Sequence, residues 1–143
     1  MQPQAHTLAC FVWQDARPLR GLAGILDWEM CGFLSEALRG EQFRGLWRES
    51  LLVGGRPYVG AQWIVLVGLG NLGAFSKERA QEALCQMVEL VRGLVPTDVQ
   101  IELPGRDRDR LSLDIAKPML ANLCDTDRDR WTIIDRSESL SIR

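Results

Sequence analysis

Between residues 7 and 13 every position except Thr7 is apolar, Thr-Leu-Ala-Cys-Phe-Val-Trp, and the run stops at Gln14-Asp-Ala-Arg-Pro18. A short unbroken apolar run bounded by turn residues predicts a buried strand. From Leu22 the period changes: Leu22, Ile25, Leu26, Met30, Phe33, Leu34, Ala37 and Leu38 recur at helical spacing. Asp27 is a candidate cap for this helix, and Gly40 is placed to end it. Leu51-Leu-Val53 before Gly54-Gly55 reads as a brief strand and turn, and Trp63 to Val67 as a second buried strand. Ser76 then predicts the N-cap of a helix reaching about Leu94. Glu78 lies in its first turn, Ala80, Leu84, Met87, Val88, Val91 and Leu94 share one face, and Pro96 follows its end.

Val99, Ile101 and Leu103 alternate with Gln100 and Glu102, the period of a half-buried strand. The charged loop Gly105 to Arg110 leads to a helix over Ser112–Leu123, in which Pro118 must lie in the first turn or impose a kink. A second charged stretch, Asp125 to Arg130, precedes a terminal strand at Trp131–Ile134, and the polar tail 136–143 is expected to fray. Strands alternating with helices, with no linker between them, predict one α/β layered domain spanning 1–143.

Composition narrows the function classes. Hydrophobic residues at 46% and charged residues at 25% belong to a globular chain long enough for one core. A net charge of -2 offers no electrostatic footprint for nucleic acid or an anionic membrane. No apolar run approaches the ~20 residues of a spanning helix, and the N-terminus lacks a basic segment followed by an apolar core. A cytoplasmic, reduced protein is the expectation. The cysteines, Cys10, Cys31, Cys85 and Cys124, form no C-x-x-C pair, so they are expected as buried small hydrophobes rather than zinc or redox ligands.

The sharpest motif is Gly68-Leu-Gly70-Asn-Leu-Gly73, a G-x-G-x-x-G run following a strand. In a dinucleotide fold the third glycine lies inside the helix, whereas a cap at Ser76 leaves Gly73 outside it. Glu102 also comes later than the ~20-residue spacing of the ribose ligand. Glycines that merely shape a turn are the simpler reading. The alternative keeps Gly68, Gly70, Asn71 and Gly73 as a candidate loop for a phosphate, nucleotide or ADP-ribose-like ligand. Asp125-Thr-Asp127-Arg-Asp129 opens like a calcium loop, but Arg130 and Arg136 occupy the positions of the required glycine and glutamate. This stretch and Arg106 to Arg110 are expected as solvated loops with self-paired charges. His6 is the only histidine, which leaves no Ser-His-Asp, Cys-His or histidine-rich metal site unless the terminus folds back. Asp27 and Glu29 are best explained by capping and dipole effects. No catalytic residue, metal ligand or cofactor is assigned.

Three segments together resemble the N-terminal domain of the leucyl (cytosol) aminopeptidase family. They are Arg17-Pro-Leu-Arg-Gly21 with Ile25-Leu-Asp27-Trp and Gly32-Phe-Leu34; Phe43-Arg-Gly45; and Val65-Leu-Val-Gly68-Leu-Gly70 with the Ser76 helix and the Val99–Leu103 strand after it. The likeness covers roughly Leu8 to Leu103. It implies a macro-like α/β/α sandwich, three layers around a mixed central sheet. The family's peptidase activity resides in a separate C-terminal domain whose motif Asn-Thr-Asp-Ala-Glu-Gly-Arg-Leu has no counterpart in these 143 residues. Lys77 and Lys117 stand in unrelated contexts, so no catalytic residue carries over. The resemblance therefore implies a stand-alone, non-catalytic module acting in protein interaction, assembly or regulation, with a split or degenerate aminopeptidase as a further alternative. A protein partner or self-association is the expectation, through apolar surface for which Trp28 and Trp131 are the candidate aromatic anchors.

Overall fold

A computed structural model describes residues 5–40, 43–124, 130–135 and 140–142. Six strands form one mixed sheet in the order β2-β3-β1-β4-β5-β6. They are β1 (Thr7–Trp13), β2 (Ser50–Gly54), β3 (Trp63–Gly70), β4 (Val99–Ile101), β5 (Trp131–Asp135) and β6 (Leu140–Ile142). β1 runs parallel to both neighbours, Thr7 pairing with Trp63 on one side and with Val99 on the other. β5 continues the parallel set beside β4, while β2 and β6 close the edges antiparallel.

Because strand side chains alternate, the unbroken apolar run of β1 feeds two cores. Ala9, Phe11 and Trp13 join Val65, Val67 and Leu69 under helices α3 (Lys77–Arg92) and α4 (Leu113–Leu123). Leu8, Cys10 and Val12 join Ile64 and Leu66 under helices α1 (Gly21–Glu29) and α2 (Phe33–Arg39). The result is the expected three-layer α/β/α sandwich around a mixed sheet.

Ser76 caps α3, its hydroxyl accepting from the Arg79 N–H at 3.1 Å. The single helix expected from Leu22 to Leu38 is instead two. Cys31 and Gly32 have φ of 57° and 84° and break it, and Asp27 bridges the break. Its carboxylate accepts from the Ser35 N–H at 2.9 Å and from the Ser35 hydroxyl, so a residue of α1 caps the first turn of α2. Pro118 lies in the interior of α4 rather than its first turn, where it returns no hydrogen bond to the preceding turn. Among the cysteines, Cys10 and Cys124 are buried as expected, whereas Cys31 is exposed and Cys85 half-buried.

Val95, beyond the end of α3, is exposed with φ of 48°. A β-branched residue there crowds its own backbone without gaining any packing. Val95→Gly is expected to stabilise the protein by about 1 kcal/mol, relief of the steric strain outweighing the entropy glycine loses on folding. Urea titration checks it: an unchanged or lower midpoint means that no strain is stored at this position.

Candidate functional site

β1 and β4 are adjacent and parallel, yet the chain leaves β1 toward α1 on one face and β4 toward α4 on the other. Such a switch point opens a crevice at the carboxyl ends of the strands, the usual ligand site of an open α/β sheet. Here the protein's own side chains fill it. Trp13, the last residue of β1, is fully buried, and its indole N–H is 3.1 Å from both carboxylate oxygens of Asp107. Phe75 meets the indole edge-on at 5.0 Å, and the Arg108 guanidinium lies 5.3 Å from its ring centre.

The amino end of α1, where free N–H groups would receive an anion, holds Glu102 instead. The buried Glu102 carboxylate accepts from the Leu22 N–H at 3.0 Å. Gly21, at φ of 60°, lies so close to it that an added Cβ would sit 2.5 Å from Oε1. An internal carboxylate thus occupies the place a phosphate would need. Burial, with Glu102 nearby, pushes the Cys10 thiol above the ordinary thiol range, which leaves it protonated and unreactive.

The loop nominated by the sequence likewise pairs its polar groups with the protein's own atoms. The Gly68 N–H donates to the Glu49 carbonyl at 2.8 Å and the Gly70 N–H to the Gly45 carbonyl at 2.9 Å. The Leu72 N–H donates to the Asp15 carboxylate at 3.2 Å, and Asn71 Oδ1 accepts from the Ala74 N–H at 3.0 Å. Gly68 and Gly70 belong to β3, which runs three residues past its expected end at Val67, and Gly73 sits in a 3-10 turn outside α3. Gly68 and Gly70 thus end β3, and Asn71 and Gly73 form the turn after it, with the Asp15 carboxylate against the Leu72 N–H.

Outside the filled crevice lies an open groove of about 880 Å³, bordered by Asp15, Arg17, Arg20, Ile25, Trp28 and Arg108. Arg17 donates to the carbonyls of Trp13, Ala16 and Arg44 at 2.7, 2.7 and 2.9 Å, fixing the loop between β1 and α1. Arg108 pairs with Asp15 at 3.4 Å. A second groove, of about 510 Å³, flanks the other side of Trp28, between Leu19, Asp27 and Cys31. Trp28 stands between the two, 83% exposed.

Trp131 is no such anchor. It is 5% exposed and packed in the core beneath α3 and α4, because its pairing with Val99 puts it on the inner face of β5. The loop at Gly105–Arg110 is not merely solvated either. Arg106 reaches Asp135, whose side chain is 2% exposed, with Nε to Oδ2 at 2.8 Å. The stretch 125–129 and the tail residues 136–139 and 143 lie outside the described residues. His6 is tied to the sheet: its N–H donates to the Asp98 carboxylate at 2.8 Å, and its carbonyl accepts from Gln62 and Trp63. Among the described residues, no group of three or more His, Cys, Asp or Glu side chains is placed to hold a metal ion. Nor is any helix among them long and apolar enough to cross a membrane.

The sequence model of the N-terminal domain of the cytosol aminopeptidase family matches residues 8–121, so the likeness runs past Leu103 and through most of α4. No curated protein sequence matches the chain. Among solved structures, tomato leucine aminopeptidase is similar over 90% of this chain, at 22% identity and a TM-score of 0.64; the chain spans 27% of that protein's length. The macrodomain of Mycobacterium tuberculosis DarG is similar over 92% of this chain and 89% of its own length, at 15% identity and a TM-score of 0.67. Thermosipho africanus DarTG, in complex with ADP-ribose, is similar over 94% of this chain and 39% of its own, at 13% identity and a TM-score of 0.67. At these identities the likenesses establish the fold.

Proposed function

Because the chain belongs to the cytosol aminopeptidase family, matching its N-terminal domain, we propose that it works as a non-catalytic interaction domain whose docking face is the outer side of α1 around Trp28. The observation that carries this reading is the contrast between two neighbouring surfaces. The crevice that would take a small molecule is filled by Trp13, Glu102 and Asp107, while an indole beside it stands almost wholly in solvent. Tryptophan and arginine are the residues most often responsible for affinity at protein interfaces, and both border the groove. A cytoplasmic location is in keeping with the family.

Two measurements on the purified protein test the non-catalytic part. Leucine p-nitroanilide with manganese or zinc is expected to show no turnover that follows the protein through repurification. Thermal-shift titrations with ADP-ribose, ATP and NAD are expected to show no saturable rise in Tm, since a bound ligand at 100 times its Kd would add ~2.7 kcal/mol of stability. Turnover that tracks the protein, or a saturable shift abolished by Gly70→Ala, would replace this reading with an enzyme or a ligand-binding module.

A further inference from the structure

The groove beside Trp28 is basic. Arg17 and Arg20 donate only to backbone carbonyls among the described residues, Arg20 at 3.5 Å to that of Asp107, and neither is ion-paired there. Arg108 is matched by Asp15. Trp28 and Ile25 supply apolar area between these charges. The surface complementary to this groove lies on the same molecule, in the opposite layer. Along the outer face of α3, Glu78, Glu82 and Glu89 line a groove of about 360 Å³ with the half-buried Cys85 between them. Among the described residues only Glu82 has a cationic partner there, Arg48 at 3.4 Å, both side chains being more than half exposed.

α1 and α3 cover opposite faces of one sheet, so the basic, aromatic groove and the acidic ridge cannot meet within one molecule. We infer that a second copy of this chain is the partner: Trp28, Arg17 and Arg20 of one molecule dock on the Glu78–Glu89 face of α3 of the next. The two patches differ, so the contact is heterologous, and repetition gives a ring if the rotation closes and a filament if it does not. Opposite local charges draw the copies together although each carries a net charge of -2. This deepens the interaction-domain reading above and rests on it.

The test uses the protein alone. Sedimentation velocity is run at about 0.01 M ionic strength, where charges act over ~30 Å, and at about 1 M, where they act over ~3 Å. The wild type is expected to assemble at low salt in a concentration-dependent way and to dissociate at high salt. Two variants reverse one patch each: Arg20→Glu with Trp28→Glu acidifies the groove, and Glu78→Arg with Glu89→Arg makes the ridge basic. Neither pair touches the core, and circular dichroism confirms that each variant is folded. Each alone is expected to be monomeric; mixed, they are expected to assemble, because each then offers the patch the other lacks. Assembly indifferent to the α3 reversal would overturn the proposal in favour of a symmetric contact through Trp28. A monomer under all conditions would overturn it too, while the peptidase and ligand assays decide the non-catalytic reading separately.

Discussion

Asp135→Ala is expected to cost about 3–5 kcal/mol, lowering Tm by roughly 10–15 °C for a domain of this size. The side chains of Asp135 and Arg106 are 2% and 13% exposed, and two contacts join them, at 2.8 and 3.4 Å. A third bond, from Arg106 Nη1 to the Leu111 carbonyl at 2.9 Å, fixes the guanidinium in place. Removing the carboxylate takes away both contacts with Arg106 in a site that water barely reaches, and that loss is the cost. Replacing both partners with leucine removes the charge along with its partner, so Arg106→Leu/Asp135→Leu is expected to recover most of the loss. Denaturant titration of the single and double variants separates the two effects. A single variant within 1 kcal/mol of wild type would mean the pair is solvated and stabilises nothing.

Gly68→Ala is expected to prevent stable folding, a cost beyond the ~1–3 kcal/mol of ordinary overpacking. An added Cβ would lie 2.0 Å from the Leu46 carbonyl oxygen and 2.6 Å from the Gly45 carbonyl carbon. Both are backbone atoms, so no rotamer change relieves the clash. The segment cannot simply withdraw, because Gly45, at φ of 85°, is itself held against the Trp13 carbonyl. Gly73→Ala makes the control: its nearest contact is Asn71 Oδ1 at 3.7 Å, and a change within about 0.5 kcal/mol is expected, as for a surface substitution. Soluble expression and urea midpoints of the two proteins give the answer. A folded Gly68→Ala protein of normal stability would show that the 45–46 segment does not press on β3.

These two sites also show what the sequence could and could not reveal. The bounds of β1, the Ser76 cap and the apolar face of α3 were legible because each depends on neighbours within a few residues. The family resemblance was legible for a similar reason, its motifs being short segments in a fixed order. Glu102 looked like the outward residue of an alternating strand, but β4 ends at Ile101. Its carboxylate turns in to meet Leu22, 80 residues earlier. Arg106 looked solvated because its partner lies 29 residues on, at the end of a different strand. The G-x-G-x-x-G pattern was placed after the strand, yet β3 runs on through Gly68 and Gly70, which serve contacts with residues 45–49 that no local spacing encodes. Trp131 next to Arg130 suggested a surface; pairing of β5 with β4 decides otherwise.

The position of β1 also governs the order in which this domain assembles during synthesis. It is a central strand made before either of its neighbours, which begin at Trp63 and Val99. At roughly 5–20 residues per second, about 5–20 s separate its emergence from that of β4. Until β3 is made neither edge of Leu8 to Trp13 can pair, and until β4 is made one edge stays open, the form most prone to sticking to other nascent chains. β1 is therefore the segment of this domain that a chaperone has most reason to hold.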